Sequence, residues 1–153
     1  MVLEIKLAGD PVLKQVAAEV TKVDKRLRKL LDDMAETMYK TEGVGIAAPQ
    51  VGVSIRAVVV DVDKNRYELI NPVITYSEGS VIDNEGCLSC PELFGDVERA
   101  EKIRVSYTTR FNKRKELEAE GLLARCIQHE VDHLNGRLFI DIAKNITKGK
   151  SEK

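Results

Sequence analysis

His129 and His133 are the only two histidines in the chain, and they stand four apart in His129-Glu130-Val131-Asp132-His133. On a helix, residues four apart share one face, separated by about 40° of rotation and about 6 Å of rise. Two imidazoles so placed can grip one metal ion. Glu130 lies about 100° round from His129 and about 60° from His133. Its carboxylate can therefore flank the metal without binding it and take a proton from a bound water. Two histidines fall four apart by chance in about 1% of arrangements, and a Glu just after the first reduces that to roughly 1 in 800. The pattern therefore outweighs the plain alternative, a surface helix with two unremarkable histidines.

An open catalytic site of this kind needs a third protein ligand and a vacant position. The longer metalloprotease pattern H-E-x-x-H-x-x-G-x-x-H supplies its own, but here Gly136 fits and Phe139 stands where the third histidine would be. Downstream, only Asp141 and Glu152 carry a suitable group, and Glu152 is in the polar tail. A thiolate from upstream is the more natural donor, and Glu85-Gly86-Cys87-Leu88-Ser89-Cys90-Pro91 offers two. C-x-x-C alone also suits a redox pair, or a closed zinc site of Cys87, Cys90, His129 and His133. Cys126, three residues before His129, reads as a small buried apolar residue.

The elements that must hold these residues follow from caps and periodicity. Asp10-Pro11 opens a short helix, with Asp as N-cap and Pro at N1. Asp24 caps a longer one over 25–41, whose Leu27, Leu30, Leu31, Met34 and Met38 form an apolar stripe. Residues 43–52, G-V-G-I-A-A-P-Q-V-G, read as an irregular loop. Strands are expected at 55–62, at 67–75 (with Asn71-Pro72 marking an edge or bulge), more weakly at 77–84, and at 103–107. A polar turn follows at 111–115. Glu118 to Leu134 forms the second helix, closed by Asn135-Gly136. Residues 138–142 make a last short strand or turn. The expected class is α+β, with antiparallel or mixed β-sheets packed around a C-terminal helix carrying the H-E-x-x-H motif. A single domain over 1–143 is expected, with 144–153 a polar, flexible tail.

Composition agrees. The 153 residues are 43% apolar, enough for a real core, and the net charge is −1 from 24 basic and 25 acidic residues. That balance argues against a basic nucleic-acid module. No apolar run approaches the ~20 residues of a membrane helix. The first residues lack the charged and apolar regions of a signal peptide, so a cytoplasmic protein is expected, and three cysteines there do not suggest a disulfide framework.

Three segments together resemble a family. G-V-G-I-A-A-P-Q (43–50), E-G-C-L-S (85–89) and Q-H-E-V-D-H (128–133) are similar, in order and spacing, to the three signature motifs of peptide deformylase. D-V-E-R-A-E-K-I (96–103) and E-A-E-G-L-L-A-R-C-I-Q (118–128) look like the same family, so the likeness spans about residues 5–142. The resemblance implies a hydrolase that removes the N-formyl group from newly made polypeptides beginning with formyl-methionine, releasing formate. It implies Cys87, His129 and His133 as metal ligands and Glu130 as general acid/base to a metal-held water. Gln50 and the backbone N–H of Leu88 would stabilise the oxyanion. The implied metal is ferrous iron, replaceable by zinc, nickel or cobalt, and Cys90 is no ligand. Some relatives carry a long C-terminal helix for ribosome docking. The short polar tail here argues against docking through one.

The chemistry is consistent with that resemblance. A divalent ion can lower the pKa of its water to about 7. A Gln amide and a main-chain N–H are suitable donors to a developing oxyanion. Gly43 and Gly45 would let the loop run close to an extended peptide. Methionine selectivity needs an apolar pocket, for which Val44, Ile82, Leu122 and Cys126 are the candidates. Glu85 and Arg99 are expected to pair and brace the Cys87 loop, with a surface ion pair as the alternative, while Asp132 covers only the solvent face of its helix. Two rivals remain: a peptidase cutting internal bonds, disfavoured by Phe139, and a structural zinc module with four ligands.

Overall fold

The computed structural model describes residues 1–149, and Glu152 lies outside them. Helix α1 (Lys25–Lys40) starts where the Asp24 carboxylate accepts the Leu27 N–H at 2.9 Å. Helix α2 (Gly121–Leu134) carries the histidines. Among the described residues, eight strands follow the order β1 (Gly45–Ala47), β2 (Ala57–Val62), β3 (Asn65–Glu78), β4 (Val81–Cys87), β5 (Cys90–Arg99), β6 (Lys102–Thr108), β7 (Arg114–Glu120) and β8 (Lys144–Lys148). They form a five-stranded sheet, β1-β2-β3-β6-β7, and a three-stranded sheet, β4-β5-β8. All the strand pairs are antiparallel, so of the two expected arrangements the fold takes the antiparallel one.

The apolar run of β2 reflects burial on both faces, because alternate side chains point to opposite sides of a sheet. Ala57 and Val59 pack with Leu27, Leu31, Met34 and Met38 of α1. Val58, Val60 and Val62 pack with Ala124, Ile127 and Leu134 of α2. The large sheet is thus held between the two helices. A third cluster, Leu13, Cys90, Val97, Leu138 and Phe139, fastens the small sheet to the N-terminal segment and to the turn that follows α2.

Several expected boundaries move. Residues 43–52 are not irregular: Gly45–Ala47 pairs with β2, and Ala48–Val51 is a 3-10 turn. The helix expected from Glu118 starts at Gly121, because residues 118–120 still pair with β6. The polar turn at 111–115 gives way to β7 at Arg114. Strand β5, unassigned in the sequence, lies against β4, and the segment at 138–142 is a 3-10 turn over Phe139–Asp141. Within the expected flexible tail, Lys144–Lys148 is an edge strand whose backbone pairs with Leu93, Phe94 and Asp96 of β5. Its side chains are all exposed, which is why its pattern reads as polar tail.

The extended N-terminal segment ties the site loops together. The Lys6 N–H donates to the Gln50 carbonyl at 2.7 Å, and the Ala8 N–H to the Ser89 carbonyl at 2.8 Å. At the far end of α2, the Leu134 carbonyl accepts the Ala17 N–H at 2.8 Å and the Arg56 guanidinium at 3.1 Å. These donors satisfy a carbonyl that the helix itself leaves open.

Candidate metal centre and active site

The Cys87 sulfur and one ring nitrogen each of His129 and His133 lie within 4.8 Å of one another. Cys87 ends β4, after a register shift between Glu85 and Cys87, and Leu88–Ser89 turns the chain into β5. Such a bulge re-aims a side chain beside a site. Its Sγ is 3.3 Å from His133 Nε2. Metal–sulfur bonds near 2.3 Å and metal–nitrogen bonds near 2.0 Å, at tetrahedral angles, put neighbouring donors roughly 3.5 Å apart. The three groups fit a divalent cation.

His129 donates its other nitrogen, Nδ1, to the Glu85 carboxylate at 2.9 Å, which fixes the ring and leaves Nε2 to face the cluster. Burial pushes His133 down to about 3, so its ring is neutral and has a lone pair to offer. Its Nδ1 is buried with no hydrogen-bond partner among the described residues. In the metal-free chain the Cys87 thiol is pushed up, first by its hydrogen bond with Cys90 and then by burial. A cation must displace that proton. Cys90 is buried in the third core cluster and stands outside the ligand group. Phe139 is buried with its ring stacked on His129 at 6.1 Å between centroids, so it packs against a ligand-bearing side chain where a third histidine would have bound. Asp141, the downstream alternative, accepts instead from Lys14 Nζ at 3.2 Å and from the Leu138 N–H at 2.9 Å.

Glu130 is buried beside this group, and its Oε1 has no hydrogen-bond partner among the described residues. Burial pushes its carboxyl up to about 7. Its other oxygen faces β1 so closely that a Cβ on Gly45 would meet Oε2 at 2.6 Å. Gly45 is therefore the residue that leaves room for the carboxylate. Gln50 is also buried. Its Oε1 accepts the Ala47 N–H at 2.9 Å, which settles the amide orientation, and its Nε2 points to Ser89 Oγ at 3.2 Å and Cys87 Sγ at 3.6 Å.

A cavity of about 520 Å³ opens over Glu130 and His129. Gly43, Val44 and Gly45 line one side, and Leu122 and Cys126 of α2 line another. Leu88 lies at the turn between. Ile82 is not on this cavity: it sits on β4 opposite Glu98 and is 66% exposed, so its place in the expected pocket is withdrawn. Residues 81–84 of β4 are all exposed, and burial on that strand begins only at Glu85.

Glu85 and Arg99 form a buried pair rather than a surface one, with Nε to Oε2 at 2.6 Å and Nη2 to Oε1 at 3.0 Å. Burial opposes the Glu85 charge, but the hydrogen bonds from His129 and Arg99 overcome it and hold the carboxyl at about 2. Asp132 does more than cover the solvent face, because it accepts from Arg99 Nη1 at 2.9 Å. Three residues to which the sequence assigned no role contribute: Ser89 accepts from Gln50, Phe94 lines the cavity, and Arg125 donates to Glu85. Arg125 left a signal, since it stands four residues before His129 on the buried side of α2.

Comparison with known proteins agrees with this geometry. The family model described as polypeptide deformylase matches residues 2–149. A peptide deformylase of Pelotomaculum thermopropionicum is 54% identical over 147 residues, covering 96% of this chain and 95% of that one. The crystal structure of the Thermotoga maritima peptide deformylase superposes with a TM-score of 0.92 at 46% identity, covering 94% of this chain and 99% of that one. That of Thermus thermophilus gives 0.89 at 46% identity, covering 92% and 85%. A family match over nearly the whole chain, on a fold that gathers a thiol, two imidazoles and a buried carboxyl at one cavity, means that this chain belongs to the peptide deformylase family, the enzymes that remove the N-formyl group from nascent polypeptides.

Proposed function

We propose that Cys87, His129 and His133 hold the catalytic metal of this deformylase, and that Glu130 moves the proton. The observation that carries the reading is the cluster itself: three donor atoms within 4.8 Å, beside a buried carboxyl oxygen lacking any partner among the described residues. A divalent ion there supplies a water of lowered pKa as nucleophile. Glu130 Oε1 would accept the proton of a water activated there and deliver it to the leaving amine. Burial, which raises that carboxyl in the metal-free chain, favours its carrying a proton from one group to the other. As the formyl oxygen gains negative charge, Gln50 Nε2 and the Leu88 N–H donate to it. Gln50 is held ready by its bond from Ala47. Val44, Leu122 and Cys126 receive the methionine side chain, and Gly43 and Gly45 bring the backbone of β1 close to the peptide.

We propose ferrous iron as the native ion, the metal the family resemblance implies. A thiolate with two imidazoles also accepts zinc, nickel or cobalt. The substrates are newly made formyl-methionyl chains, met in the cytoplasm, and the ribosome enters this reading only as their source. No helix among the described residues is long and apolar enough to cross a membrane.

The test is anaerobic purification, metal analysis, and a formate-release assay on formyl-Met-Ala beside an unformylated peptide. One metal per chain and formate from the first substrate alone are expected. Cys87→Ser should weaken metal binding and abolish turnover, while Cys90→Ser should leave both largely intact. Stoichiometric loss of metal in Cys90→Ser would overturn the open three-ligand site.

A further inference from the structure

Arg125 is a buried guanidinium that the chemistry above does not use. It stands on α2 one turn before His129, and it lines the substrate cavity between Leu122 and Cys126. Its hydrogen bonds reach three acceptors. Nη1 donates to Glu85 Oε2 at 2.5 Å and to the Val97 carbonyl at 3.0 Å, and Nη2 donates to the Val81 carbonyl at 2.7 Å. Val81 belongs to β4 and Val97 to β5, so one side chain fastens two of the three strands of the small sheet to the helix that carries the histidines. Glu85 in turn holds His129 Nδ1.

We propose that Arg125 is a positioning residue for the metal site, acting on His129 through Glu85. This rests on the ligand assignment proposed above. The Glu85 carboxylate must keep Oε1 aimed at His129, and two arginines fix it there. Arg99 grips both oxygens, and Arg125 adds a second cation on Oε2, opposite the oxygen that faces the histidine. The two-point grip of Arg99 fixes the carboxylate within its own plane but leaves it able to hinge out of that plane. The second cation, arriving from α2 itself, ties the carboxylate's orientation to the same helix as the imidazole. Groups that orient a metal-bound histidine commonly change metal affinity by 10- to 100-fold when removed. Arg125 also spans the gap between α2 and the β4–β5 hairpin on which Cys87 sits. It therefore holds the thiol and imidazole donors in one frame.

The test compares wild type, Arg125→Met, Arg125→Lys, Glu85→Gln and the Arg125→Met/Glu85→Gln double variant. Each is stripped of metal, then titrated with Co(II) against a competing chelator, with the cobalt absorption spectrum recorded. Arg125→Met should weaken cobalt binding roughly 10- to 100-fold and alter the spectrum. Arg125→Lys, which keeps a cation but only one point of contact, should recover part of the loss. In the Glu85→Gln background, Arg125→Met should cost little more, because the route to His129 is already cut. Cobalt affinity and spectrum unchanged in Arg125→Met would overturn the proposal. So would a full additional loss in the double variant, which would mean that Arg125 acts independently of Glu85. If neither Arg125 variant folds, as judged by circular dichroism of the metal-free protein, Arg125 belongs to the framework alone and the proposal also fails. A wild type that binds no cobalt at all overturns the ligand assignment itself, and this proposal with it.

Discussion

At the scale of single residues, the site is defined by what Glu130 is denied. It is buried, one oxygen lacks a partner among the described residues, and the other is crowded by the backbone of β1. A carboxyl kept in that condition is poorly used as structure and well used as a proton carrier. Glu130→Gln keeps the shape and removes the proton chemistry. It should lower kcat by about 10²–10⁴ with metal content unchanged, read by formate release and metal analysis on the same sample. A variant that keeps wild-type kcat would remove Glu130 from the mechanism. Gly45→Ala probes the same contact from the other side. A methyl group placed 2.6 Å from Oε2 must push the carboxylate aside. The expected result is a large loss of kcat with the metal retained. Equal activity in Gly45→Ala would show that the carboxylate needs no such fit. The His-Glu pattern was legible because helical spacing alone brings those side chains together. Ile82 was misplaced because its apolar type suggested burial, whereas β4 is exposed on both faces from Val81 to Asn84 and is buried only from Glu85.

At the scale of elements, legibility followed the range of the interactions involved. Helix α1 was readable end to end, since its cap and stripe are local. Strand β1 was not. Its three residues are extended only because Gly45, Ile46 and Ala47 find Val60, Val59 and Val58 on a distant segment. The same holds for Lys144–Lys148, an exposed polar strand defined by its partner β5. Helix α2 was readable at its C-terminus, where Gly136 takes φ of +76° and closes the last turn. A Cβ there would also meet the Lys14 carbonyl oxygen at 2.5 Å, so the closing turn is wedged against the N-terminal segment. Gly136→Ala therefore meets both a strained backbone and a clash. It should cost more than about 1 kcal/mol in chemical denaturation. Because His133 lies in that last turn, cobalt affinity should fall with it. Stability lost without any change in affinity would mean that the helix end and the metal site are mechanically separate.

At the scale of the whole molecule, the buried titratable groups predict how the metal-free protein responds to acid. Glu130, raised by burial to about 7, binds its proton more readily when folded, so acidification from pH 7 towards 4.5 favours the native state through it. His133, lowered by burial to about 3, refuses a proton that the unfolded chain accepts below about 6.5, so the same acidification costs stability through it. Over that window the two contributions oppose each other. Below about pH 4.5 the balance changes. Glu85, held at about 2 against burial by His129 and Arg99, must now be protonated on unfolding, and His133 still resists its proton. Both then act in one direction, with a slope of up to about 3 kcal/mol per pH unit. The stripped protein should therefore change little in unfolding free energy between pH 7 and 4.5. It should lose stability steeply between 4.5 and 3, as measured by urea denaturation at a series of pH values in chelator. Arg99→Lys, which weakens the grip on Glu85, should lower the stability above pH 4.5 and make the acid limb shallower, because the limb starts at the unfolded carboxyl's ordinary value and only its lower end follows the native one. A steady decline from pH 7 with no break, or an acid limb as steep in Arg99→Lys as in the wild type, would mean that the buried chain from Arg99 through Glu85 to His129 does not govern the acid stability of the fold.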